Sequence, residues 1–135
     1  MTPIEVLTEF IHRLNQHDVD RTAAMMTEDH LFVDSLGNAI RGRETMRAGW
    51  RGYFSMCPDY RITCEHLLTD GTLVVALGSA GGAIAVRGDL LPENKWSIPA
   101  AWRTLVEGGL VKEWQVYADN KPVYDILARA KAPGS

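Results

Sequence analysis

The chain has 135 residues with 14 basic against 17 acidic side chains, a formal balance of -3. This fits one domain that buries roughly two-thirds of the surface its unfolded form exposes. No basic excess marks nucleic acid or an anionic membrane as a partner. Cys57 and Cys64 are the only cysteines, seven residues apart, which suits neither a disulfide framework nor a metal knuckle, so a reducing, cytoplasmic setting is expected. Residues 1 to 5 lack a basic and an apolar leader region, and no run approaches the roughly 18 apolar residues that span a bilayer.

Thr2, Pro3 and Glu5 form a helix start: a hydroxyl cap, a proline in the first turn and a carboxylate near the positive dipole end. Ile4, Leu7, Phe10, Ile11 and Leu14 then recur at helical spacing, predicting a helix over about 3–16. Asp18 can cap a second helix with Val19, Ala23 and Met26 as its apolar stripe, ending near Thr27. An apolar run, His30-Leu31-Phe32-Val33, reads as a strand that closes on Asp34, followed by a turn over 35–38 and a short extended piece over 39–42. Arg43 to Met56 predicts a third helix, with Met46, Trp50, Tyr53 and Phe54 on one broad face and Pro58 beyond its end.

From Tyr60 the apolar period changes to two, with turns at Asp70-Gly71, over 89–94 and at Gly108-Gly109, which predicts an antiparallel meander. Glycines over 78–82 fall late in a strand, where missing side chains allow a bend or bulge. Residues 96 to 119 form the last hairpin, which carries three of the four tryptophans and stops at a second carboxylate, Asp119. Asp119 or Asn120 can cap a short C-terminal helix that has Pro122 in its first turn and ends by Lys131, leaving a frayed tail. Helices first and a meander afterward give an α+β domain with three helices against one face of a curved sheet.

The order of elements, with Phe-Val-Asp-Ser-Leu-Gly at 32–37 and Trp-Gln-Val-Tyr-Ala-Asp at 114–119, resembles the SnoaL-like and ketosteroid isomerase-like families of the nuclear transport factor 2-like superfamily. The resemblance covers about residues 3 to 130. It implies a cone-shaped barrel: a strongly curved, mainly antiparallel sheet wrapped around three N-terminal helices, with a short C-terminal helix. It also implies a homodimer through the outer sheet face. Asp34 is similar in context to the catalytic aspartate of the isomerases. Their oxyanion tyrosine falls at Phe10 and their protonated aspartic acid at Ala100, so both donors are replaced unless Tyr53, Tyr60 or Tyr117 substitutes. The spacing from Trp114 to Asp119 is similar to that of SnoaL-type cyclases and epoxide hydrolases, which implies an acid/base role for Asp119.

Asp34 and Asp119 are therefore the catalytic candidates. For Asp34, desolvation at a cavity would raise the pKa from about 3.9 toward that of a useful base; the alternative is a turn role, accepting backbone hydrogen bonds from Leu36 or Gly37. For Asp119 the alternative is a helix cap, because alternation puts Trp114, Val116 and Ala118 on one face and Tyr117 and Asp119 on the other. Phe10, Leu14, Trp50, Phe54, Tyr60, Trp96, Trp102, Trp114 and Tyr117 are the candidates for lining a pocket for a small apolar or aromatic ligand. Arg61 is a further candidate polar partner. His30 and His66 read as structural residues. His12 and His17 face different sides of the first helix, and no His/Asp/Glu grouping has metal-ligand spacing, so no metal or cofactor is expected.

The expected function is a cofactor-independent isomerase, cyclase or hydratase that uses a pocket carboxylate on an apolar carbonyl or ring compound. A non-catalytic ligand-binding protein and a dimeric assembly protein are the alternatives. Leu105 and Val111 are candidates for an exposed dimer face.

Overall fold

The computed structural model describes residues 1–131. Helix α1 (Pro3–Asn15) starts in a capping box: the Thr2 hydroxyl accepts the Glu5 N–H at 3.2 Å, and the Glu5 carboxylate accepts the Thr2 N–H at 3.0 Å. Its apolar stripe, Val6, Leu7, Phe10, Ile11 and Leu14, is buried. Asn15 ends the helix, and the next turn passes through His17 at φ 58°. His17 thus lies beyond the helix that the sequence extends nearly to it, held in the left-handed region where a helix cannot continue.

Asp18 caps α2 (Val19–Ala23), its carboxylate accepting the Arg21 N–H at 3.1 Å. The sequence runs this helix to Thr27, whereas Met26 instead opens strand β1 (Met26–Val33). Pairing decides this: Met26 stands opposite Val111 of β6 (Leu110–Ala118), and its side chain is fully buried. The remaining elements are β2 (Ala39–Arg41), α3 (Arg43–Met56), β3 (Arg61–Asp70), β4 (Leu73–Ala83), β5 (Lys95–Glu107) and α4 (Lys121–Lys131). Within the 89–94 turn region, Pro92–Asn94 forms one 3-10 turn. The expected fraying of residues 132 to 135 falls outside the described residues.

Six strands make one open, curved sheet in the order β2-β1-β6-β5-β4-β3. Every neighbouring pair is antiparallel except β1 and β6. The expected α+β architecture is present, with helices packed on the inner face of the sheet. Asn15 fastens α1 to β3 through two bonds with Ile62: its Nδ2 donates to the carbonyl, and its Oδ1 accepts the N–H, both at 2.8 Å. No helix among the described residues is long and apolar enough to cross a membrane.

The glycine-rich segment of β4 is read from the sequence as a place for a bend or bulge. The extra residue sits on the partner strand instead, where the β3 register slips between Cys64 and His66 opposite Gly78 and Leu77. Gly78 serves the close approach of the two backbones, since a Cβ there would stand 1.9 Å from the Thr63 carbonyl oxygen. Val111, expected on the exposed face, is fully buried because its pairing with β1 turns it into the core; Leu105 is half-buried. The large exposed apolar side chains of the strands are Ile40 (41%), Leu68 (58%), Leu77 (37%) and Tyr117 (52%).

Two alanine substitutions should have opposite signs. Gly78→Ala forces β3 and β4 apart and should lower stability by about 3 kcal/mol or more. Gly52→Ala, on α3 with nothing within 4 Å of the new Cβ, should raise it by about 0.5–1 kcal/mol. Chemical denaturation of both variants measures the contrast.

Candidate functional site

A cavity of about 310 Å³ lies between the inner face of the sheet, α3 and α4. It exists because the strands present small residues at its floor. Ala100 stands opposite Ala118 on β6, and with Ala80 on β4 these small side chains line the cavity and leave space where larger ones would fill the core. One residue pair further along β5, Trp102 stacks on Trp114 with centroids 6.0 Å apart, and both line the cavity.

The opposite wall is aromatic. Trp50 and Tyr53 of α3 stand edge-on at 5.7 Å, Tyr53 and Tyr60 edge-on at 4.9 Å, and Tyr60 lies 6.0 Å from Trp96. His17 holds this wall from behind: its Nε2–H donates to the Tyr60 carbonyl at 2.6 Å, while its ring stacks on Phe54 at 4.2 Å. The third side comes from α4 through Val123, Tyr124 and Leu127. That helix is fastened at both ends: Asn120 Nδ2 donates to Ser35 Oγ at 2.7 Å, and Arg129 donates to the Glu93 carbonyl at 2.9 Å.

Of the residues expected at a site, Asp34, Trp50, Tyr60, Trp96, Trp102 and Trp114 line this cavity. Phe10, Leu14 and Phe54 are buried but lie outside its lining: Phe10 meets Trp114 edge-on at 5.1 Å, behind the wall. Tyr117 is exposed, and alternation along β6 sends Val116 and Ala118 inward instead. Asp119 is also exposed; its carboxylate accepts the Lys121 N–H at 3.0 Å where α4 begins, the capping role. Arg61 lines a separate surface depression with Asp59 and Lys95. The lining residues Phe32 and Asn120 are not among those expected at a site, and Tyr53, named from the sequence only as a substitute oxyanion donor, lines the cavity from the α3 face it shares with Trp50.

Asp34 is the one charged side chain lining the cavity among the described residues. Its Oδ1 accepts the N–H groups of Leu36 and Asn38, both at 2.9 Å, and its Oδ2 accepts Asn38 Nδ2 at 3.1 Å. Burial alone would raise its pKa. The backbone and side-chain bonds from Asn38, with those from Leu36 and Gly37, outweigh burial and hold the carboxyl below its usual value. The expectation of a raised pKa is thus corrected: the turn that closes β1 stabilises the charged form.

The two cavity tyrosines differ from Asp34 in this respect. Neither the Tyr53 nor the Tyr60 hydroxyl has a hydrogen-bond partner among the described residues, and Tyr60 is only 7% exposed. Burial, reinforced by the neighbouring Cys57, raises both phenols well above their ordinary range, so both stay protonated. The buried polar atoms without a partner at the cavity are the Trp50 and Trp96 indole N–H groups.

His30 is fully buried; its Nδ1–H donates to the Val111 carbonyl at 2.8 Å, tying β1 to β6. Desolvation lowers its pKa, which keeps the ring neutral. Both cysteines are free, and burial pushes the Cys57 thiol up to about 11. No group of three or more His, Cys, Asp or Glu side chains among the described residues could hold a metal ion.

Because the folded pKa of Asp34 lies below its unfolded value, its stabilising effect is present above the unfolded pKa near 3.8 and is lost as the pH falls through the folded value. Asp34→Ala should therefore destabilise the protein more at pH 7 than at pH 3. Thermal unfolding at the two pH values, with carboxyl titration by NMR, measures this.

Comparison with known proteins agrees with the fold. No curated protein matches the chain. A Shewanella denitrificans protein assigned by likeness as a SnoaL-like polyketide cyclase superimposes with a TM-score of 0.80 at 17% identity, covering 94% of this chain and 97% of its own. A Catenulispora acidiphila protein with a ketosteroid isomerase-like fold, solved in complex with trimethylamine, gives 0.78 at 21% identity over 98% and 96%. An epoxide hydrolase of Mycobacterium tuberculosis gives 0.77 at 18% identity over 95% and 90%. These likenesses concern the fold. Residues 7–114 match the SnoaL-like domain model, and the chain belongs to the SnoaL-like domain family.

Proposed function

We propose that the protein is a cofactor-independent enzyme that moves a proton on an apolar carbonyl or ring compound, with Asp34 as the group that takes and returns it. One observation carries this reading: a single ionised carboxylate lines an otherwise uncharged, largely aromatic cavity of ligand size. Asp34 is ionised at neutral pH and so ready to accept a proton. Its hydrogen bonds make it a weak base, so the substrate must carry an acidified C–H, such as one beside a carbonyl. Asp119 has no part in this chemistry, being a surface cap.

A second reading, a non-catalytic binder of the same class of ligand, is favoured by those same bonds, because three of them spend the carboxylate on its own turn. In either case we propose a homodimer through the outer sheet face, where Leu68, Leu77 and Tyr117 are exposed.

Deuterium exchange separates the two readings. With a panel of apolar cyclic ketones in heavy water, the enzyme reading expects loss of α-proton signals in the NMR spectrum. Asp34→Asn should slow this by about 100-fold or more, and Asp119→Asn should leave it unchanged. Ligand binding without exchange would support the binder.

A further inference from the structure

We infer that the ligand enters and leaves the cavity over Gly49 of α3, and that the missing side chain there sets the size of what can pass. This rests on reading the cavity as a small-molecule site and adds the route by which that site is reached.

The side of α3 that borders the cavity is a helical stripe of Met46, Gly49, Trp50, Tyr53 and Met56. Four of the five carry a long or aromatic side chain, and Gly49 carries none. Met46 and Trp50, which flank it along the stripe, are buried, whereas Gly49 is exposed. A larger residue could touch the cavity with one part and solvent with another. Glycine has no side chain to divide in this way, so the same few backbone atoms border the cavity and meet the solvent.

The space over Gly49 is open. Apart from its chain neighbours and the backbone of its own helix, a Cβ built there would meet the Met46 side chain alone, with Sδ at 3.8 Å and Cε at 4.0 Å. No atom of β2, α4 or the sheet comes within 4 Å. The close backbone approach that calls for glycine at Gly78 is absent, and φ is not positive. Met46 is unbranched with three rotatable bonds, so its far end can move aside and widen the gap.

Exposure of the other lining residues puts the opening on the same side. Ile40 of β2 and Tyr124 of α4 border the cavity and are exposed, whereas Ala80, Trp96, Ile98, Ala100 and Trp102 of β4 and β5 are all buried. The sheet closes one side of the chamber, and the side made by α3, β2 and α4 meets the solvent.

Stopped-flow quenching of the cavity tryptophans by 2-naphthol, a neutral two-ring probe, tests this. Gly49→Leu and Gly49→Gln each put a side chain compatible with a helix over the gap. Each should lower the association and dissociation rate constants together by about tenfold or more and leave Kd within about threefold, because an obstructed path slows both directions equally. Gly49→Ala should have a smaller effect in the same sense. Gly52→Leu, at an exposed position of the same helix that does not border the cavity, should change neither rate. Two blocking variants are used so that a folding failure in one, seen by circular dichroism, leaves the other to decide. Unchanged rates in the folded blocking variants would overturn the inference and assign entry to another route, such as displacement of α4, while leaving the cavity a ligand site. Equal slowing by Gly52→Leu would overturn it too. So would weaker binding with faster dissociation, since the new side chain would then fill the cavity and not its entrance. If 2-naphthol does not bind the native protein, the reading of the cavity falls as well.

Discussion

The row of small residues across the centre of the sheet is the constraint on which the rest depends. Strand β5 is paired with β4 over 95–105 and with β6 over 100–107, so its side chains have only two directions to take. Trp96, Ile98, Ala100 and Trp102 all take the inward one. Were all four large, the core would close against α1 and α3. Ala100, with Ala118 opposite it and Ala80 on β4, keeps a gap that the tryptophans on either side leave open. The cavity is thus a controlled packing defect. Interiors normally reach crystal-like density, and an unfilled space forfeits dispersion contacts along its lining, so a ligand there recovers energy that the apo fold leaves unrealised.

Polar groups divide sharply between those the fold uses and those it leaves over. Asp18, His30, Asp119 and Asn15 each hold backbone groups that join two elements or begin a helix. Asp34 stands between the two kinds: it organises its turn and also borders the cavity. Its position explains why the direction of its pKa follows the turn and not the cavity, since desolvation, the largest single influence, is outweighed by the backbone and side-chain hydrogen bonds of the turn taken together. The tyrosine hydroxyls belong wholly to the second kind.

Much of this architecture is legible in the sequence because local signals agree with the fold. The Thr2-Pro3-Glu5 start, the stripe from Ile4 to Leu14, the α3 face and the period-two meander each name their own element. The misplaced features all depend on a partner distant in sequence. Met26 fits a helical stripe locally and becomes a strand residue through Val111, 85 positions away. The bulge belongs to β3, whereas the glycines that make it possible lie on β4. At the site, alternation correctly separates Trp114 from Asp119, and Phe10 and Leu14 carry the right polarity for a wall they sit behind. Which apolar side chains border an empty space depends on the absence of atoms at Ala80, Ala100 and Ala118, and hydropathy patterning does not register absence.

The C-terminal helix has a consequence for how such a site can diversify. The segment that matches the family ends at residue 114, yet Val116, Ala118, Asn120, Val123, Tyr124 and Leu127 all border the cavity beyond it. The scaffold and the aromatic wall are set by the matched part, while one complete side of the chamber is contributed by a short terminal stretch anchored at Ser35 and Glu93. Substitutions there can reshape the chamber without disturbing the sheet. The shape of the chamber is therefore separable from the fold, and can drift, or be engineered, one helix face at a time.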